Sequence, residues 1–249
     1  MPSRPGAPSL APSRASIARR LERVDWTAVE RSLDDRGHAL IPALLTTAEC
    51  RALVALDPDD RRFRSRIDME RFGFGVGRYG YFARPLPRLV ADLRAAAYPR
   101  LAPIANRWME ALGESARYPD RLDDFLARCA ARGQTRPTPL LLRYEADGYN
   151  CLHRDLYGDV AFPLQLTCFL SEPGVDYDGG EFLLVEQRPR AQSRGEAIAT
   201  RRGDVVVFPN AVRPVAGRRG FYRAHMRHGV SRVRRGERWA LGVIFHDAR

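Results

Sequence analysis

At 249 residues, with 45% hydrophobic side chains and a formal net charge of +11, the chain is long enough to bury a full core within one domain. It contains no run of about 20 apolar residues, which excludes a membrane-spanning helix. The four cysteines, at positions 50, 129, 151 and 168, show neither paired zinc spacing nor a disulfide framework, so a reducing, cytoplasmic setting is expected.

Residues 1–22, rich in Pro, Ser, Ala and Arg and without a secretory apolar core, read as a disordered basic tail. Residues 23–249 read as a single domain, with a helical N-terminal part over 23–135 and a β core over 136–249. Val24, Trp26, Val29 and Leu33 recur at helical spacing. After the Arg36-Gly37 break, a strand-like stretch from His38 to Pro42 leads to Thr46, which offers a cap for a helix carrying Cys50, Leu53 and Val54. A further helix is expected from about Pro87 to Leu112. Between these helices, residues 63–82 follow neither period. Arg64, Arg66, Arg71 and Arg78 alternate there with Phe72, Phe74, Tyr79, Tyr81 and Phe82 among glycines. Such a segment could stack bases and neutralise phosphates, close as a lid over a small substrate, or pack as a hairpin on the core. Its candidate substrate contacts are Arg66, Arg78, Tyr79 and Tyr81.

Strand signals dominate the remainder. Leu140 to Asp155 reads as two strands about a turn at Asp147-Gly148, and Phe162 to Leu170 as an apolar strand. Asp178-Gly179-Gly180 turns the chain into Glu181 to Val185, and Gly203-Asp204 leads into Val205 to Phe208. His228 to Val233 and Trp239 to Phe245 are the last two. Short strands separated by turns point to a sandwich or barrel. Alternation places Gln165, Thr167 and Phe169 on one face, lining a cavity, and Leu166, Cys168 and Leu170 on the other, in the core.

On such a scaffold His153 and Asp155, two apart on an extended stretch, point to the same side. With His228 they make a two-His, one-carboxylate set, the arrangement that holds non-haem Fe(II) and leaves positions open. Arg238, ten residues after His228, is a permanent cation suited to bidentate capture of a carboxylate. His225 is the rival third ligand; its odd separation from His228 turns the two to opposite faces of a regular strand, so only one reaches the metal. A Cys151 thiolate ligand would instead bring zinc-like chemistry.

Together, Arg143-Tyr144, the His153/Asp155 pair, the Gly179-Gly180-Glu181-Phe182 turn, the Gly203-Asp204 strand ending in Phe208, and His228 with Arg238 resemble the 2-oxoglutarate- and Fe(II)-dependent dioxygenases. The resemblance runs from about Leu140 to Ala248 and implies an α+β fold: a double-stranded β-helix (jelly-roll) core with N-terminal flanking helices. It implies Fe(II), 2-oxoglutarate and O2, with His153, Asp155 and His228 as iron ligands and Arg238 on the distal carboxylate of the cosubstrate. Tyr144 would hydrogen-bond the cosubstrate or pack the core, and Gln165 and Thr167 would line its cavity. The ten-residue spacing to the basic residue is that of the prolyl hydroxylases. In AlkB-type dealkylases the spacing is longer and a second Arg follows six residues later, where this chain has Ile244.

Several segments, including those around His153, Gly180 and Arg227, are similar to a bacterial branch of oxygenases acting on damaged nucleic acid. This implies hydroxylation with release of succinate and CO2, leaning to oxidative dealkylation of DNA or RNA. The alternatives are a hydroxylase of a protein side chain or small metabolite, and a catalytically silent jelly-roll binding module. The expected partner is single-stranded or damaged nucleic acid, with no membrane and no obligate protein partner. Positive charge favours a polyanion. All 41 basic residues are arginine, however, which reflects codon bias as much as phosphate contact. The arginines cluster at 188, 190, 194, 201 and 202, and again at 213, 218, 219, 223 and 227.

Overall fold

The computed structural model describes residues 14–155 and 158–249. Five α-helices are described: α1 (Arg14–Glu22), α2 (Trp26–Arg36), α3 (Thr47–Val54), α4 (Arg88–Ala111) and α5 (Leu122–Ala130). The strands are β1 (Ala39–Ile41), β2 (Phe63–Asp68), β3 (Gly75–Val76), β4 (Arg78–Phe82), β5 (Leu140–Tyr144), β6 (Tyr149–His153), β7 (Leu164–Phe169), β8 (Tyr177–Gly179), β9 (Phe182–Gln187), β10 (Arg194–Ile198), β11 (Val205–Pro209), β12 (Val212–Gly217), β13 (Gly220–Val230), β14 (Val233–Gly236) and β15 (Arg238–Ile244).

Local chemistry sets the helix ends. The Asp25 carboxylate accepts the Ala28 N–H at the start of α2, and Gly37, with φ of 82°, closes its end in the left-handed conformation. Thr46 and Glu49 form a reciprocal capping box on α3, as their spacing indicates.

The strands form two facing antiparallel sheets. The major sheet runs β1-β11-β7-β15-β5-β4-β2, and the minor sheet β10-β9-β13-β6-β3, with β12 paired to the first half of β13. This is the jelly roll expected, flanked by helices. All six residues of β7 are buried because both of its faces are covered. Leu164, Leu166 and Cys168 join the large cluster that carries the helices, with Tyr98, Leu101 and Trp108 of α4. The opposite face, with Gln165, Thr167 and Phe169, looks between the sheets, as the alternation requires.

Two expectations need correction. Residues 14–22 of the expected tail form α1, with Ile17 and Leu21 at 0% and 2% exposure; residues 1–13 lie outside those described. Composition concealed this helix because its apolar face consists of two residues four apart in an Arg-rich stretch. Nor is the N-terminal part only helical. β1 forms one edge of the major sheet, the β2/β4 hairpin forms the other, and β3 adds to the minor sheet beside β6. The segment over 63–82 therefore packs as a hairpin, with an excursion over 69–77 that ties the two sheets together at one end. Among the described residues, no helix is long and apolar enough to cross a membrane.

A buried ion pair fastens the C-terminus to α4. Arg94, 2% exposed, donates to Asp247 at 2.8 Å and to the carbonyls of Ile244 and Phe245. Asp247 also accepts from Arg84 at 2.5 Å, so loss of Arg94 leaves a buried carboxylate half-paired and two buried carbonyls without their donor. Arg94→Ala should lower stability by about 3 kcal/mol, read as a lower urea midpoint with an unchanged denaturant slope.

Candidate metal centre and cosubstrate cavity

Register brings the two histidines together. In the pairing of β6 with β13, His153 stands directly across from His228, and their ring centroids are 4.2 Å apart. Asp155, just past the end of β6, turns to the same side: its Oδ2 lies 3.1 Å from His228 Nε2 and its Oδ1 3.6 Å from His153 Nε2. One donor atom from each residue lies within 4.8 Å of the others, close enough for one ion to take all three. His153 Nδ1 donates to the carbonyl of Cys151 at 2.8 Å, leaving the Nε2 lone pair turned to Asp155. Burial, and then the neighbouring His228, lower the His153 pKa below its ordinary value, which favours the neutral, ligating form. The Cys151 thiol is exposed and outside this cluster. His225 points outward and is exposed, so the parity argument selects His228.

The trio opens onto a cavity of about 420 Å³ between the sheets. Its walls include Tyr144, Gln165, Thr167 and Arg238 from the major sheet, with Tyr79 and Tyr81 of β4 beside them. Arg238 is 1% exposed and has no ion-pair partner among the described residues; its Nε lacks any hydrogen bond. Its guanidinium lies 5.5 Å from the ring centroids of both Tyr144 and Phe169. A buried cation without a counter-charge is costly, and an anionic ligand in the cavity would neutralise it. Gln165 Nε2 and His228 Nδ1 are also buried without partners. The Tyr144 hydroxyl accepts from Asn150 at 3.2 Å, and burial pushes its pKa up to about 12, so it remains a neutral hydrogen-bond donor.

Two of the four candidate substrate contacts do not reach this cavity. Arg66 is held by Asp57 and Asp60, and Arg78 faces a separate surface groove, 3.8 Å from Glu145. Alternation explains the difference: on β4, Tyr79 and Tyr81 look to the cavity and Arg78 to the other side. Sequence reasoning did not single out Asn150, which lines the cavity, or Tyr177, whose ring stands with Arg238 against Gly180. A signal was available in the Gly pair. Gly180 has φ of 60°, and a Cβ there would sit 2.9 Å from Arg238 Cδ, so the turn leaves room for the arginine.

Comparison with known proteins fits this geometry. Residues 77–248 match the model of the Oxygenase-NA family, described as "Oxygenase, catalysing oxidative methylation of damaged DNA". The chain belongs to this family. It is 52% identical over 182 residues to an uncharacterized protein, Rv2227, of Mycobacterium tuberculosis, covering 69% of this chain and 78% of that one. Among solved structures, the oxygenase is similar in fold to a Pseudomonas putida prolyl-4-hydroxylase (TM-score 0.54, 16% identity, 90% of this chain and 99% of that one). It is also similar to a 2OG-Fe(II) oxygenase family oxidoreductase of Burkholderia pseudomallei (TM-score 0.55, 16% identity, 91% and 93%). The protein is thus an oxygenase of this family, built on the fold of those two enzymes.

With Co(II) as a spectroscopic stand-in, Asp155→Ala should weaken metal binding by more than the roughly 10–100-fold typical of outer-shell changes, as measured by visible absorption. Protonated imidazole cannot ligate, and the His153 pKa lies below 6.5. Wild-type affinity should therefore be flat from about pH 7 to about pH 8 and fall only on the acid side of His153's ordinary range.

Proposed function

We propose that the oxygenase oxidatively dealkylates methylated bases in single-stranded or damaged nucleic acid, with His153, Asp155 and His228 holding the iron. The observation that carries the chemistry is the trio facing the uncompensated Arg238 across one cavity. The description of the matched family supports the choice of substrate. Iron with 2-oxoglutarate and O2 supplies an oxidation, placing one oxygen atom on the substrate and the other in succinate, with loss of CO2. No methyl donor takes part, so the reaction consistent with this centre removes a methyl group. Hydroxylation of an N-methyl carbon gives an N-hydroxymethyl group, whose C–N bond breaks to release formaldehyde and return the proton to nitrogen.

The chain's own residues bind and orient. Arg238, with Tyr177 behind it, grips the distal carboxylate of the cosubstrate in bidentate fashion. The Tyr144 hydroxyl, Gln165 and Thr167 offer hydrogen bonds along its length. Tyr79, Tyr81 and Phe74 form an aromatic wall against which a planar base can lie, and they keep water from the reacting carbon. A second reading, hydroxylation of a peptide side chain, draws on the ten-residue spacing between His228 and Arg238.

Succinate release under air separates these readings. Wild type loaded with Fe(II) anaerobically should release succinate, Asp155→Ala should not, and methylated single-stranded DNA should raise the rate with formaldehyde in proportion. Matched unmethylated DNA should have no such effect. Stimulation by a peptide pool in place of DNA would replace the dealkylase reading with the hydroxylase one.

A further inference from the structure

We propose that the outer face of β13, from Arg227 beside the metal centre to the Arg218-Arg219 turn, is a track for the phosphodiester backbone of a single-stranded nucleic acid. The proposal rests on the nucleic-acid reading of the same centre and says how the strand is held.

Strand parity creates the track. Along β13, Ala224, Met226 and His228 are buried and point between the sheets, whereas Phe221, Arg223, His225 and Arg227 point outward and are exposed. The neighbours in register on that outer face are Val185 and Gly195 beside Arg227, Gln187 beside His225, and Pro214 beside Arg223. No carboxylate occupies an outward position on β9, β10, β12 or β13. The acids of these strands, Glu186 and Glu196, face the other way: Arg213 and Arg188 neutralise Glu186, and Glu196 lies 3.8 Å from His38. Arg223, midway along the track, pairs with Glu114 just after α4, which leaves the two ends of the track as its uncompensated charge. Several arginines elsewhere are paired with acids, among them Arg66, Arg107, Arg202 and Arg235.

At the cavity end, two arginines flank the paired histidines. Arg154 follows His153 just past the end of β6, and Arg227 precedes His228 on β13. Both are exposed, and neither has an ion pair among the described residues. Cations gathered at one rim repel each other, and an anion bound among them reverses the sign. Arg154 also borders the iron cavity, so a phosphate held there sits beside the mouth through which a base would enter. At the far end, Arg218 and Arg219 form the two-residue turn between β12 and β13; both are exposed and free of ion pairs among the described residues. Phe221, 57% exposed next to that turn, offers a ring for stacking. Outward residues on a strand recur about every 7 Å, and Arg219 to Arg227 spans about 27 Å, room for several nucleotides.

The test is fluorescence anisotropy of a labelled, methylated single-stranded DNA across a salt series. The proteins are wild type, Arg227→Glu, the double variant R218E/R219E, and R31E/R100E, which makes the same charge change on the exposed surface of α2 and α4. Thermal unfolding midpoints confirm that each variant is folded. Arg227→Glu and R218E/R219E should each weaken binding about tenfold or more, and lower the slope of log affinity against log salt by about 0.7 for each phosphate no longer neutralised. R31E/R100E should do neither. Track variants that bind like wild type, or that weaken binding no more than R31E/R100E does, would overturn the track and leave the dealkylase reading standing. A wild type that binds no oligonucleotide, methylated or not, or that binds only an acidic peptide, would overturn both.

Discussion

A one-residue slip between β6 and β13 would turn either His153 or His228 to the outer face of the sheet and disperse the metal centre, because strand side chains alternate. The structure fixes that register from several directions. β9 pairs with β13 over six consecutive positions on one side, and β12 pairs with its first half on the other. At Gly229 the register with β6 shifts between His228 and Val230; a Cβ there would lie 2.6 Å from the carbonyl oxygen of Asn150, so a side chain would push the ligand strands apart. Beyond the bulge, Ser231 bonds both the Glu181 carboxylate and the Glu181 backbone N–H, closing the strand end. The placing of the two histidines is thus a property of the sheet, whereas Asp155 stands just past the end of β6.

The second constraint is electrostatic. Arg238 begins β15 in register with Tyr144, so the cation enters the sandwich from the major sheet while the histidines enter from the minor one. Their separation across the cavity gives an anionic cosubstrate two distinct ends to satisfy. Gly180 leaves space for the arginine side chain, and the Tyr177 ring packs against the same turn. A carboxylate at that position would cancel the Arg238 charge.

Much of this was legible in the sequence, for reasons that also explain the omissions. Period-two patterning placed Gln165 and Thr167 opposite Leu166 and Cys168, and parity separated His225 from His228, because both arguments need only local geometry. Arg66 and Arg78 escaped the same logic. Their segment was read for composition, whereas its partners, Asp57 and Asp60 for one and Glu145 for the other, are set by tertiary placement. β13 was recognised only from His228 onward, although it begins at Gly220, since Arg-rich alternation from Arg223 to Arg227 lacks the apolar face by which half-buried strands are usually found. The face that β13 does bury there is made of Ala224 and Met226, residues with little strand preference of their own.

The same alternation that hid the strand divides its labour. His228 points inward to the metal centre and Arg227 outward to solvent, one residue apart, so chemistry and charge occupy opposite faces of a single backbone. This separation matters physically. Further arginines deep in the cavity would add to the uncompensated charge of Arg238 and, like any desolvated cation, would push the pKa values of nearby imidazoles further down. Placed on the outer face they are screened by water over about 8–10 Å at physiological salt, yet remain close enough to hold a polyanion at the rim. The wall made by Tyr79, Tyr81, Phe74 and Leu142 is aromatic and uncharged, which suits a neutral planar group delivered to the cavity while its charged backbone remains outside.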